Sequence, residues 1–471
     1  MMEEKATIRF WDLVFINVTA QYGIRWIAKS TAASFGFGVG AIPMWVLCAV
    51  VFFIPESLIC AELASTYPND GGLYAWVREA FGEKTGFLAA WLNWTGKAFW
   101  YAGFLTFFVI NLTYVFGHKE LAENKWLVLG VSVVVFWILS FISTKGLARA
   151  KMFTTASAMG STIPTVVMIT LAVASVLLLK TIPCAADYRA ELRPNIDMDA
   201  MVAYSTLMFA LSGTEVCANF VTSIDRPQKT IPRAIFTAAA IIAGLYILGS
   251  IAITMVMPTE EITGTTGVLD AIARAAASLG IGMWFVRLMA VGIALSVAGS
   301  VVLYVASPVK MLFGSVSRGV FSDKIMECNA EGMPTRAVYG QAVFVTVILL
   351  GTSLLPAVGY IYNILVSITA LTGMIPYVLL FAAYIKLRST RPDEVRPYAM
   401  CRNTGSAVVI ATIALIACAL SVVLSAAPAM KTQADNLAYE AELIGGGMLV
   451  VLLGLFIWRV SQPRRLQARR E

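Results

Sequence analysis

"ALSGTEVCANFVTS", residues 210–223, closes a long apolar run and places a glutamate, Glu215, two residues after Gly213. Between Ala200 and Ser223 it is the only charged residue. A run of this length can cross a bilayer as a helix. Ser212, Gly213 and Thr214 interrupt that helix at its middle, and an interrupted helix frees backbone groups that lipid cannot satisfy. Those groups must face a cavity or a ligand.

The rest of the chain makes a membrane setting the natural one. Of 471 residues, 59% are hydrophobic and 13% charged, against about 25% charged in ordinary soluble chains. Twelve apolar spans are expected at about 10–33, 37–64, 86–116, 125–143, 151–179, 200–223, 233–257, 281–314, 338–356, 359–386, 405–427 and 441–459. Backbone satisfaction in lipid demands helices or a closed barrel, and the spans lack the polar–apolar alternation of barrel strands. The fold class is therefore an all-α membrane protein in one polytopic domain, with the lipid bilayer as its solvent.

Charge in the loops is one-sided. Lys145, Arg149 and Lys151, then Arg226, Lys229 and Arg233, then Lys386, Arg388, Arg391, Arg396 and Arg402, and finally Arg464, Arg465, Arg469 and Arg470 fall on one side of an even count. Asp187, Glu191, Asp197, Asp199, Glu260, Glu261, Glu440 and Glu442 fall on the other. The positive-inside rule then places both termini in the cytoplasm and the chain in the cytoplasmic membrane. Because the net charge of +7 resides in these loops, it does not suggest a nucleic-acid partner. "GGLYAWVREAFG", 71–82, reads as an amphipathic stretch lying in the membrane interface.

A second interruption lies in span one, "FINVTAQYGIRWIAKS", at Thr19, Ala20, Gln21, Tyr22 and Gly23. Interrupted helices at matching positions of two halves point to a transporter binding site. Each half-helix that starts at a break offers N–H groups and a positive dipole end, and each that stops there offers carbonyls. An amino acid matches both. The competing reading is a plain kink, since Gly and Ser also serve close helix packing.

Charges deep in spans are costly and usually functional. Glu215 can hold a substrate ammonium, a coupling proton or a neighbouring helix. Arg25 and Lys97 can meet a substrate carboxylate or close structural ion pairs. Glu56 is the further candidate charge, with a structural role favoured for it and more so for Glu62. Phe209, Trp26, Trp100 and Tyr101 are candidate gate aromatics, against the plain alternative that they pack. The single histidine, His118, excludes a histidine metal cluster, the seven cysteines show no CxxC pair, and neither a Walker A loop nor GxGxxG is present. No catalytic residue, metal site or cofactor is expected.

Three segments together resemble the amino acid–polyamine–organocation superfamily, and within it the glutamate:GABA antiporter group: "AELASTYPNDGGLYAWVREAFGEKTGFLAAWLNW" (61–94), "SGTEVCANFVTSIDRPQKTIPRAI" (212–235) and "SPVKMLFGSVSRGVFSDKIMECNAEGMPT" (307–335). The resemblance implies an inverted five-plus-five helix repeat, about 10–180 and 200–388, with two further helices at about 405–459. It implies sodium-independent exchange of amino acids or their decarboxylated amines by alternating access. Residue by residue it carries helix-six backbone contacts onto Ser212, Gly213 and Thr214, the acidic position onto Glu215 and the aromatic lid onto Phe209. "TAQYG" (19–23) departs from the superfamily's Gly-Ser-Gly pattern, Lys97 matches no family motif, and the long C-terminal plug of glutamate:GABA exchangers is not expected after span twelve. A proton-coupled amino-acid symporter and a transporter-like nutrient sensor are the other functions weighed.

Overall fold

A computed structural model describes residues 8–33, 41–69, 71–145, 147–179, 198–258, 261–354, 358–425 and 433–468. Asp187, Glu191, Asp197, Glu260, Arg469 and Arg470 lie outside the described residues. Nine of the described helices are long and apolar enough to cross a membrane. A tenth crossing is obtained if the bent pair Ile444–Val460 and Gln462–Ala468 counts as one. Spans one and six fail that length test because each is in pieces. Span one is Phe10–Gln21 followed by Arg25–Ala33, and span six is Met198–Leu211 followed by a 3-10 helix, Thr214–Ser223. The molecule is all-helical among the described residues, as the composition requires.

Burial separates a core from a lipid-facing shell. In the apolar window of Glu83–Phe116, span three, 78% of residues are buried, against 28% in that of Thr404–Ser425, span eleven. Span three, Met283–Val309 (span eight) and Val358–Thr390 (span ten) are the most buried of the crossing helices. The π-helical segment Ala49–Phe53 relieves a proline, since it widens the backbone just ahead of Pro55 and contains Val51, four residues before it. A second, Lys310–Gly314, follows Pro308 and does not reach the carbonyl of Tyr304. A proline ring collides with the carbonyl four residues earlier, and a wider turn moves that carbonyl aside.

Spans five (Leu147–Leu179) and eight meet backbone to backbone. A Cβ on Gly160 would fall 2.3 Å from the carbonyl oxygen of Gly292, and one on Gly299 would fall 2.3 Å from that of Phe153. Ser157 Oγ donates across the seam to Ser296 O at 2.6 Å. Without a hydrophobic drive between helices in lipid, small residues supply the close contact. Gly299→Ala is accordingly expected to destabilise the protein by about 1–3 kcal/mol, the range for overpacking. Gly340→Ala, where a new Cβ meets nothing within 4 Å, is the control. Thermal unfolding in detergent checks this, and an unshifted Gly299→Ala midpoint would show that the seam yields.

One expectation is overturned here. The stretch 71–82 does form a helix, Gly72–Phe81, but Tyr74, Trp76 and Val77 are buried inside the protein. Its apolar face packs on spans three and ten and on the 3-10 segment of span six instead of lying on the bilayer. Of its apolar residues only Phe81, 38% exposed, keeps a surface position.

The end of the bundle bearing the basic loops is tied shut. Ile8 bridges to Ile224, with Ile8 N donating to Ser223 O at 3.0 Å and Asp225 N to Ile8 O at 3.1 Å. Asp12 pairs with Lys151 at 2.5 Å and Glu79 with Arg391 at 2.6 Å. The Tyr67 hydroxyl donates to Glu394, and burial together with that carboxylate pushes its pKa up to about 12, so it remains a donor at physiological pH.

Candidate functional site

The two interruptions face each other, and the structure shows what satisfies them. Helix one continues to Gln21, and the break itself is Tyr22–Ile24. The expected interruption at Thr19–Gly23 is therefore shifted: Thr19, Ala20 and Gln21 are still helical. Hydroxyls hold the carbonyls that the break releases. Ser300 Oγ donates to Thr19 O at 3.2 Å, Tyr304 Oη to Ala20 O at 2.6 Å and Tyr246 Oη to Gln21 O at 3.1 Å. Tyr246 Oη also accepts from Gly23 N at 3.0 Å and lies 3.4 Å from Ala210 O on helix six. One tyrosine of span seven (Pro227–Val256) thus pins both breaks.

Helix six stops at Leu211. Ser212 turns its N–H and its hydroxyl onto Phe209 O at 3.2 and 2.8 Å. Gly213 takes φ +129°, a region that favours glycine, and a Cβ there would come within 2.8 Å of Tyr304 Oη. The N–H groups of Gly213 and Thr214, expected to await a ligand, both donate to Glu56 Oε1, at 3.3 and 3.2 Å. The helix-six backbone is therefore capped from within by a carboxylate of span two, a favourable match to the positive end of the helix that follows.

Between the breaks lies a cavity of about 30 Å3, the room of roughly one water molecule. It is lined by Thr19, Ala20, Gln21, Tyr22, Gly23, Arg25, Trp26, Lys97, Trp100, Phe209 and Ser212 from the sequence-derived candidates, and also by Phe104, Ala210, Ser300 and Tyr304. Gly213, Thr214, Glu215, Glu56 and Tyr101 do not line it. Tyr101 instead donates to Tyr304 O at 2.5 Å, fixing the helix that carries Tyr304. A cavity of this size does not admit an amino acid.

The two cations of the cavity are held by aromatic faces. The Arg25 guanidinium lies 4.2 Å from the centre of the Phe104 ring and 4.9 Å from that of Trp26. Lys97 Nζ lies 4.3 Å from the Tyr304 ring centre and 5.5 Å from that of Phe209. Such contacts partly offset the loss of water around a buried cation. The carboxylates are withdrawn. Glu215 Oε2 accepts from Tyr377 Oη at 2.8 Å, while Glu56 sits on the helix-six backbone. Among the described residues no carboxylate lies within ion-pair distance of Lys97.

Comparison with known proteins places this geometry. The amino acid permease family model matches residues 8–465. The chain is a member of the amino acid permease family. A transporter of Legionella pneumophila, described only as uncharacterized, is 30% identical to the permease, covering 96% of this chain and 97% of its own. A probable agmatine/putrescine antiporter of Lactococcus lactis is 25% identical, with 96% of each chain covered. A glutamate/gamma-aminobutyrate antiporter of the same species is 22% identical, over 90% of the permease and 87% of that protein. The family is one of transporters, so the permease is a multi-pass membrane transporter and not an enzyme.

The missed lining residues left a faint trace in the sequence. Ser300 and Tyr304 are four apart in "SVAGSVVLYVASPV" (296–309), and Tyr246 stands alone in "AGLYILGS" (243–250). Each is a hydroxyl at mid-span, the type of residue that lipid disfavours unless a partner exists.

Proposed function

We propose that the permease exchanges anionic amino acids, and products that keep a carboxylate, across the cytoplasmic membrane by alternating access. The observation that carries this reading is the charge of the cavity wall: Arg25 and Lys97 line it, and no carboxylate does. A diamine such as putrescine would meet two like charges in a low-dielectric site, whereas a dicarboxylic amino acid would meet two partners. γ-Aminobutyrate retains one carboxylate and remains compatible; agmatine and putrescine carry none. The relatives include both kinds of antiporter, the agmatine/putrescine one at the higher identity, so the choice rests on the cavity wall and not on them. The two interruptions, each in the first span of a five-span set, support an inverted repeat over 10–180 and 200–388, and the one-sided basic loops support cytoplasmic termini.

Counterflow in proteoliposomes tests the proposal. Labelled glutamate is expected to enter vesicles loaded with glutamate or γ-aminobutyrate several-fold faster than empty or putrescine-loaded vesicles. Uptake into empty vesicles driven by an imposed pH gradient would replace exchange by proton symport, and binding without turnover would indicate a sensor. Equal stimulation by putrescine would refute the anionic reading.

A further inference from the structure

The end of the bundle that bears the basic loops holds a second cavity, far larger than the one between the breaks. Its volume is about 500 Å3. Lys84, at the start of span three, lines it together with Leu455, Trp458, Arg459, Gln462 and Arg465, where span twelve (Ile444–Val460) bends into the last helix. The wall carries three cations and no carboxylate. Three other cations of this end have carboxylate partners: Lys151 has Asp12, Arg388 has Glu62 and Arg391 has Glu79. Among the described residues no carboxylate pairs with Lys84 or Arg459, and both are exposed. Glu83, next in sequence to Lys84, accepts instead from Tyr74 Oη at 2.9 Å and Ser317 Oγ at 2.5 Å.

Scattered basic residues at such an end follow from topology and require no ligand. Here they stand on a fixed frame. The Arg465 guanidinium lies 3.5 Å from the centre of the Trp458 ring, with Nε donating to Ser461 Oγ at 3.0 Å and Nη2 to Trp458 O at 2.8 Å. Trp458 stacks on Phe87 of span three, ring centres 5.4 Å apart, and Trp91 Nε1 donates to Val450 O at 2.9 Å. Gly319, at φ +85°, brings the loop after span eight onto the last helix, where a Cβ would lie 2.8 Å from Arg464 O. An apolar track leads away from the cations. Met448, Leu452, Leu455 and Arg459 recur at four, three and four residues, so they share one face of span twelve. Met448 and Leu452 are exposed, and Leu455 and Arg459 line the cavity. A soluble phosphate matches only the cationic end of this face. A lipid with an anionic headgroup matches both ends, and basic pockets between helices at this level suit such headgroups. We infer that the cavity binds one anionic phospholipid, with its phosphate at Lys84, Arg459 and Arg465 and an acyl chain along Leu455, Leu452 and Met448. The site is separate from the substrate cavity and does not depend on which amino acid is exchanged. A headgroup there joins span three, the helix that carries Lys97, to span twelve.

Native mass spectrometry of the full chain in detergent, titrated with phosphatidylglycerol or with phosphatidylcholine of the same acyl chains, tests the site. The first phosphatidylglycerol is expected to bind at least about 10-fold more tightly than phosphatidylcholine. The double variant Lys84→Gln, Arg459→Gln is expected to raise the phosphatidylglycerol Kd by roughly 10- to 50-fold, since each cation near an anionic headgroup contributes a factor of about five. Its phosphatidylcholine Kd is expected to stay within about threefold of the wild type. Lys229→Gln, Arg233→Gln removes the same charge from another exposed basic face of this end and is expected to keep both Kd values within about threefold. All four side chains are exposed, so neither double variant is expected to shift the unfolding midpoint in lipid-free detergent. Glycerol 3-phosphate, a headgroup without acyl chains, is expected not to displace the lipid even in large excess. Displacement by it at concentrations comparable to the lipid would make this a soluble-phosphate site and overturn the lipid assignment. Equal losses in the two double variants would trace binding to net charge alone and overturn the site. So would phosphatidylglycerol binding no tighter than that of phosphatidylcholine.

Discussion

Lys97→Gln is expected to lower kcat/KM for glutamate by roughly 30-fold to several thousand-fold, the equivalent of about 2–5 kcal/mol for truncating one partner of a buried charge pair. The residue stands on the most buried span, 4% exposed, with its ammonium between the rings of Tyr304 and Phe209. A cation at that depth is costly. The rings offset part of the cost, and a substrate carboxylate would offset more. Glutamine at position 97 is one atom shorter, keeps most of the packing and removes the charge. With Lys97 taken as the partner of the side-chain carboxylate and Arg25 of the α-carboxylate, exchange of glutamine, which keeps only the latter, is expected to change by less than about threefold. The diagnostic quantity is the ratio of the two specificity constants, measured in the same vesicles. A ratio equal to that of the wild type would remove Lys97 from recognition of the side-chain carboxylate, and unchanged specificity constants for both substrates would leave it a packing residue.

What the sequence disclosed and what it concealed follow a physical line. Features that depend on the solvent were legible. Long apolar runs had to become helices, and mid-span charges and small-residue interruptions stood out because lipid makes them expensive. Features that depend on a distant partner were not. Helix one was expected to break at Thr19, yet it continues to Gln21 because Ser300 and Tyr304, some 280 residues away, supply hydroxyls to its last carbonyls. Gly213 and Thr214 were expected to present their N–H groups to a ligand, and Glu56 of span two takes them. Glu215 stood out as a lone charge, but its partner, Tyr377, lies 162 residues further on. The helix Gly72–Phe81 illustrates the same limit. An amphipathic pattern shows that an apolar face will be buried, and the sequence alone does not say whether lipid or protein buries it.

Glu62→Ala is expected to be the most destabilising single change in the molecule, by about 3–5 kcal/mol, because it strands buried cations. Glu62 Oε1 receives Arg388 Nη1 at 2.6 Å and Arg396 Nε at 3.1 Å, and Oε2 receives Tyr384 Oη at 3.0 Å and Met400 N at 2.8 Å. Glu62 is 2% exposed, Arg388 4%, and the Arg396 side chain 9%, so water cannot replace the lost carboxylate. Through these contacts one residue of span two fixes the end of span ten and the loop that leaves it. Arg388 secures the same loop again by donating to Cys401 O. Thermal unfolding in detergent gives the size of the effect, with Lys84→Ala as a surface control. The argument has a second half. A buried ionic cluster stabilises far less than its removal in part destabilises, since hydrophobic residues of similar volume avoid the desolvation altogether. The triple variant Glu62→Leu, Arg388→Met, Arg396→Met is therefore expected to recover most of the stability that Glu62→Ala loses. If the triple variant unfolds as early as the single one, the cluster stabilises through more than charge pairing, and the hydrogen bonds to Tyr384 and to the Met400 backbone must carry the difference.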